Sequence, residues 1–322
     1  MKKNLLVTGG AGFIGANFIS YILGNTNYTI TNIDSLTYAS NLKNVEVYEG
    51  SERYRFIKCD ISKEIELRPV FDRVYDAIIN FAAESHVDRS IEKAAPFIST
   101  NIVGTFNLLQ AVLSNNAKKM IQISTDEVYG SLRPTDPPFT EETPLAPNNP
   151  YSASKASADM LVRSFIKTHQ LPLIITRCGN NYGPMQHAEK FIPKMIQNTI
   201  LDKDIPLYGD GLNIRDWIYV TDHCRAIHMV LEKGISGKIY NIGGTVEKTN
   251  REVAEMIVTK LGGKLDRITF VEDRKGHDRR YAMDSTKISR DLGWKPIVTF
   301  NDGIQKTIDW YMQNGMKEGN KF

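Results

Sequence analysis

Two clusters of reactive side chains stand out along the chain. Tyr151 and Lys155, in Tyr-Ser-Ala-Ser-Lys, are spaced to lie one turn apart on one helix face. Asn149 and Pro150 before them suit the N-cap and the first helical position, which puts Tyr151 in the first turn. A tyrosine acting as a base near neutrality needs its pKa of ~10 lowered by ~3 units, roughly 4 kcal/mol, and a neighbouring ammonium works in that direction. Alone, the pair is equally what an ordinary helix would carry. The second cluster is Ser124-Thr125-Asp126-Glu127-Val128-Tyr129-Gly130. Adjacent carboxylates invite a division of labour: the one desolvated beside its charged neighbour stays protonated while the other ionises. Raising an Asp from ~3.9 to near ~7 takes about 4 kcal/mol, which a closed pocket can supply. The plainer alternative is a helix start that favours acidic residues through its dipole.

A third motif narrows the reaction type. Thr8-Gly9-Gly10-Ala11-Gly12-Phe13-Ile14-Gly15 follows an apolar run and precedes a helical pattern. Gly9, Gly12 and Gly15 remove Cβ atoms where a tight turn lets backbone approach a pyrophosphate, and the following helix start offers free N–H groups. Asp34 closes the next apolar run. A carboxylate there accepts from the adenosine ribose hydroxyls and repels a 2′-phosphate, so the cofactor expected is NAD, not NADP. Asp60 and Ile61, after the third run, are placed either to flank the adenine or as plain loop residues. An oxidised, positively charged nicotinamide would add to Lys155 in lowering the Tyr151 pKa.

The elements that must position these groups alternate in kind. Asn4–Thr8, Tyr28–Ile33, Arg55–Cys59, Ala77–Phe81, Met120–Ser124 and Leu173–Thr176 read as buried strands with helical crossovers between them. That alternation predicts an α/β fold with a doubly wound parallel sheet, ligands lying beyond the carboxyl ends of its strands. The proline-rich segment Arg133–Pro150 reads as a surface loop. Past about Arg177 the pattern turns to loops and shorter helices, which suggests a dinucleotide domain over 1–177 and a smaller C-terminal substrate-binding lobe over 178–322, with some segments returning to the first. The polar tail Met312–Phe322 is expected to fray. Over 322 residues, 41% hydrophobic and 24% charged, the composition argues against disorder and coiled coil. A net charge of +3 is too weak to suggest nucleic acid or an anionic membrane. No apolar run reaches the ~18 residues of a spanning helix, and the first residues lack the apolar core of a signal peptide. Cys59, Cys178 and Cys224 are too few and scattered for a disulfide framework, so a reducing cytoplasm is expected. The six histidines show no metal-ligand spacing, His223 and His228 included, and no metal is expected.

Longer strings carry a resemblance. The glycine loop, Asp34 and Tyr151/Lys155 resemble an extended short-chain dehydrogenase/reductase, which has a Rossmann-type sheet. Asp34–Ala39, Ala82–Ile91, Ser124–Gly130, Tyr151–Asp159, Arg177–Pro184, Asn213–Trp217, Tyr240–Gly244 and Gly276–Tyr281 resemble the dTDP-glucose 4,6-dehydratase branch. Thr125-Asp126-Glu127 is its most diagnostic string, since related 4-epimerases typically lack the carboxylate pair. The resemblance implies that Tyr151 deprotonates the glucose C4 hydroxyl, Thr125 hydrogen-bonds that oxygen and Lys155 holds the nicotinamide ribose. Glu127 would then take the C5 proton and Asp126 protonate the leaving C6 hydroxyl, giving a 4-keto-6-deoxy sugar nucleotide for deoxysugar biosynthesis such as that of dTDP-rhamnose. Ser35, Leu36, Thr37, Ala82, Ala83, Ser85, Thr100 and Asn181 would complete the cofactor site. Sugar-nucleotide contacts would fall on Ser85, Asn180, Glu189, Lys190, Phe191, Arg215, Asn250 and His277. Arg215 and Lys190 suit a diphosphate, Tyr208 in Pro206-Leu207-Tyr208 could stack on the pyrimidine, and Asp273 is as readily a surface residue. Departures from the family pattern are Ser40 for Gly, Gly179 for Ser, Met185-Gln-His187-Ala188 for Tyr-Gln-Phe-Pro, and Lys275 for Pro. A homodimer through helices around Ile98–Leu113 and Tyr151–Phe165 is implied. A UDP-glucose 4,6-dehydratase, another sugar-nucleotide-modifying extended short-chain dehydrogenase such as a 4-epimerase and, more remotely, a non-catalytic NAD-binding scaffold are the competing readings.

Overall fold

The computed structural model describes residues 2–314. Met312–Asn314 close the last helix, and the rest of the tail expected to fray lies outside the described residues. The six expected strands form: β1 (Asn4–Thr8), β2 (Thr29–Asp34), β3 (Tyr54–Lys58), β4 (Ala77–Asn80), β5 (Met120–Thr125) and β6 (Leu173–Cys178). Every residue of β4, β5 and β6 is buried, the pattern of strands covered on both faces. The remaining strands are β7 (Asn180–Tyr182), β8 (Ile205–Tyr208), β9 (Ile214–Tyr219), β10 (Ile239–Ile242), β11 (Glu247–Thr249) and β12 (Ile268–Val271). The main sheet runs β10-β6-β5-β4-β1-β2-β3, all parallel. β10 is a seventh strand that the sequence reading did not assign. Between β1 and β4 the chain reverses its direction of travel across the sheet, which opens a crevice over their carboxyl ends.

The helices are α1 (Phe13–Asn25), α2 (Glu64–Leu67), α3 (Val87–Glu92), α4 (Ala95–Phe97), α5 (Thr105–Leu113), α6 (Pro150–His169), α7 (Phe191–Ile200), α8 (Val220–Lys233), α9 (Asn250–Lys260), α10 (Thr286–Leu292) and α11 (Phe300–Asn314). One sheet face is covered by α1 and α8, whose Phe18, Ile19, Ile22, Ile227 and Val230 share a core with Val7, Ile30 and Ile174. The other is covered by α5 and α6 through Leu108, Leu109, Val112 and Val162. A π-helical stretch, Ile98–Gly104, leads into α5. The smaller lobe joins β7, β9 and β11 with the β8–β12 pair under α7, α9 and α11, around Ile192, Ile196, Val253, Ile257 and Ile304. Thus α8 and β10, both late in the chain, belong spatially to the first sheet. Among the described residues no helix is long and apolar enough to cross a membrane, and all three cysteines are buried free thiols.

Candidate active site

The glycine turn after β1 is shaped by close approach. Gly9 adopts a φ of +67°, and a Cβ there would lie 2.7 Å from Ala82 Cα; one on Gly15 would lie 2.4 Å from the Gly9 carbonyl oxygen. No side chain caps α1 at Gly12, and its first turn holds no acid. The N–H groups of Phe13, Ile14 and Gly15 therefore keep their donors and the positive helix end for an outside anion. Asp34, buried at the end of β2, accepts from Ala11 N at 3.0 Å, Leu36 N at 2.8 Å and Ser40 Oγ at 2.7 Å. Those three donors fix the carboxylate in place. The same pocket is lined by Gly9, Gly12, Phe13, Ile14, Gly15, Ser35, Thr37, Asp60, Ile61, Ala82, Ala83, Ser85, Thr100 and Asn181. Leu36 takes part through its backbone N–H alone. An open helix start at one point and a held carboxylate at another fit a dinucleotide.

Thr125, Asp126, Glu127, Tyr151 and Lys155 line the inner end of that pocket. The carboxyl end of β5 supplies the first three. Thr125 caps the following turn, accepting from Glu127 N at 3.3 Å, and its hydroxyl donates to Asp126 Oδ1 at 3.1 Å. α6 supplies the other two. Asn149 caps it, its side chain accepting from Ser152 N at 2.9 Å, and Pro150 occupies the first turn, as expected. Lys155 Nζ is buried and donates to the Ile123 carbonyl at 2.6 Å.

Burial dominates the electrostatics. It holds the Asp126 carboxyl well above the usual carboxylate range, helped by the charge of Glu127 and opposed by the Thr125 hydrogen bond. Glu127 is raised as well, again by burial, but the cations of Arg215 and Lys190 draw it back. Of the two, Asp126 is the carboxyl whose surroundings favour its proton more strongly, and Glu127 the one that nearby cations favour as a carboxylate. The Tyr151 phenol is held well above its ordinary value by burial and then by Glu127, while Lys155 gives its hydrogen bond to backbone.

On the substrate side, Ser85, Asn180 and Lys190 line the pocket, and Lys190 Nζ donates to the Ser85 carbonyl at 2.7 Å. Arg215, buried on β9, donates to the Asp278 carbonyl at 3.0 Å, with its guanidinium 4.3 Å from the Tyr281 ring centre. Tyr208 at the end of β8 is part-exposed between Arg274, 5.1 Å from its ring centre, and His277, at 6.1 Å. Asp273 pairs with His277 Nδ1 at 2.6 Å. Leu207 sits in the smaller lobe's core, Phe191 lies against Trp217, and Pro206 stands between Ile205 and Leu207 on β8. Asn250 begins α9, its N–H donating to the Asn213 carbonyl at 3.0 Å. Glu189 turns toward α3: Arg89 Nη2 lies 2.7 Å and His86 Nε2 3.5 Å from its carboxylate. Arg274 pairs with Asp88 of α3 at 2.6 Å, so two ion pairs link the lobes beside the pocket.

Several supporting residues escaped the sequence reading. The Ser152 hydroxyl lies within donating distance of both Glu127 Oε2, at 3.2 Å, and Asn149 Oδ1, at 2.9 Å, with one proton to give. Asn101, in the π-helical stretch, donates to Ser154 Oγ at 2.8 Å and accepts from Glu84 N at 2.9 Å. Ser90 Oγ accepts from Tyr151 N at 3.1 Å. The one signal available was an Asn within an apolar helical stretch, a residue that seldom sits there without a partner.

The comparisons agree with this geometry. The profile of the GDP-mannose 4,6 dehydratase family matches residues 6–307. The chain is 49% identical to the dTDP-glucose 4,6-dehydratase of Neisseria gonorrhoeae, across 99% of this chain and 98% of that one. It is 52% identical to the low-salt glycan biosynthesis protein Agl12 of Haloferax volcanii, across 96% and 98%. The crystal structure of DesIV, a dTDP-glucose 4,6-dehydratase from Streptomyces venezuelae solved with NAD and TYD bound, matches with a TM-score of 0.92 and 46% identity over 97% of each chain. The chain belongs to the GDP-mannose 4,6-dehydratase family and, within it, to the dTDP-glucose 4,6-dehydratases of the extended short-chain dehydrogenases/reductases.

Proposed function

We propose that the protein is an NAD-dependent hydro-lyase that converts dTDP-glucose to its 4-keto-6-deoxy product with loss of one water. The observation that carries this reading is the adjacent pair of buried carboxyls Asp126 and Glu127, in different electrostatic surroundings, in the pocket that also contains Tyr151 and Lys155. The glycine turn, Asp34 and Lys155 would hold NAD, which would supply the acceptor for a hydride from C4 and the donor for its return to C6. Tyr151 takes the C4 hydroxyl proton once a positive charge beside it offsets its burial, and Thr125 holds the same oxygen. The C4 ketone acidifies the C5 hydrogen, which Glu127 removes. Asp126 gives its proton to the C6 hydroxyl as that group leaves as water, and when hydride returns to C6 the resulting enolate takes a proton back at C5 from Glu127, which exchanges with solvent. Simple oxidation would need the Tyr–Lys pair alone; elimination is what calls for the two carboxylates.

We read residues 1–177 as holding the dinucleotide and 178–322 chiefly the sugar nucleotide, with α8 and β10 lent back to the first sheet. Lys190, Arg215 and Arg274 would meet the diphosphate, and Tyr208 the base. A cytoplasmic setting and a place in deoxysugar biosynthesis go with this reading. So does a homodimer, supported by the part-exposed Ile98, Val103, Phe106 and Met160 on α5, α6 and the stretch before them.

The test is turnover of dTDP-glucose in heavy water without added reductant. A 4-keto-6-deoxy product carrying deuterium at C5 is expected. A product with hydrogen at C5, one that keeps its C6 oxygen, or no keto sugar at all overturns the proposal. Comparing kcat/KM for dTDP- and UDP-glucose decides the base, with the dTDP sugar expected to be preferred.

A further inference from the structure

His223 has no part in the chemistry above, yet it is wholly buried on α8 beside the pocket. Its Nδ1 lies 2.9 Å from Asn181 Oδ1, and its Nε2 is buried with no partner. Asn181 is a pocket residue whose Nδ2 reaches the Gly179 carbonyl at 3.1 Å and Cys178 Sγ at 3.3 Å. A carbonyl only accepts, so the amide nitrogen must face Gly179 and the amide oxygen must face the imidazole. His223 therefore carries its proton on Nδ1 and its lone pair on Nε2. A second proton would place an unpaired charge in the core, and burial pushes the imidazole down to about 3, so the ring remains a neutral donor at every working pH. The wall it supports is close to the chemistry: Cys178 is the β6 partner of Thr125 on β5, and Cys178, Gly179, Asn180 and Asn181 all line the pocket.

We propose that His223 is a positioning residue, whose Nδ1–H locks the Asn181 amide and with it the Cys178–Asn181 wall in the form that receives the dinucleotide. This rests on the dinucleotide reading of the pocket. A histidine that merely fills core volume would show the same burial, so the test must separate the donor from the bulk. Leucine keeps much of the volume and no donor, whereas the amide nitrogen of asparagine can stand near the position of Nδ1.

The experiment is titration of the full chain, freed of nucleotide, with NAD alone, alongside Tm for each variant. His223→Leu should weaken NAD about tenfold, the scale of one lost hydrogen bond that leaves a buried acceptor bare. His223→Asn should bind within about twofold of wild type even where its Tm falls as far as that of the leucine variant. Asn181→Leu should show a loss like that of His223→Leu, and the double variant should add nothing further. Equal NAD affinity for His223→Leu and wild type overturns the proposal. So do equal losses in the Leu and Asn variants, or fully additive losses in the double variant. A wild-type chain that binds no NAD would instead bring down the pocket reading itself.

Discussion

Asp126 and Glu127 are neighbours in the chain, yet their surroundings divide them: after burial, the next influence on Asp126 is the like charge of Glu127, with Arg215 last, whereas the next on Glu127 are the cations Arg215 and Lys190. Asp126→Asn should still form the C4 ketone, detectable by the reduced-nicotinamide absorbance at single turnover, but should lose water about 10²–10⁴-fold more slowly, the range of general-acid effects. A second carboxyl gives a cleaner pH signal. Asp216, pinned by the N–H groups of Gly244 and Val246, is pushed by burial up to about 7 from its ordinary 3.8. Its folded-state pKa is raised, so the native form binds the extra proton. Stability from this group is full below about 4 and falls as pH rises toward 7, by about 1.4 kcal/mol per pH unit. Asp216→Asn keeps an acceptor for both amides and should remove that slope, as urea unfolding between pH 4.5 and 7 would show. At this scale the sequence was informative where spacing encodes chemistry, as in Tyr151/Lys155 and the carboxylate pair. Ser152, Asn101 and His223 act through contacts made only by the folded chain, and no spacing announces them.

Among elements, the joint between α6 and β6 is the sharpest constraint on the catalytic helix. Arg177 and Asp159 form an ion pair at 2.9 Å with both side chains essentially inaccessible, and Arg177 also donates to the Tyr129 hydroxyl at 2.9 Å. Removing one partner leaves an uncompensated buried charge, which costs about 3–5 kcal/mol, whereas replacing both with apolar residues costs less. Arg177→Met should therefore lower the unfolding free energy by about that amount, and Arg177→Met with Asp159→Leu should recover part of it in denaturant melts. The six strands of the first half were legible because parallel, doubly covered strands read as unbroken apolar runs. β10, by contrast, is four residues with a polar Asn241 at its centre, whose side chain bonds the Tyr129 hydroxyl and the Phe139 carbonyl. A run so short and mixed carries no strand signal by itself.

For the molecule as a whole, the exposed apolar residues of α5 and α6 bear on assembly. Met160, 56% exposed on α6, is the place to test it: Met160→Glu should turn a sedimenting dimer into monomers while leaving the far-UV spectrum unchanged. A wild-type chain that sediments as a monomer at micromolar concentration would remove the dimer from the account. The return of β10 to the main sheet also has a bearing on how the protein is made. Until residues 239–242 leave the ribosome, β6 stands as an open edge, its N–H and C=O groups unpaired on one side, and the α1 face lacks the cover of α8. A chain truncated just after residue 178 would thus hold the six strands β1–β6 in a form prone to stick to its neighbours, and such a recombinant fragment should prove insoluble where the full-length protein does not.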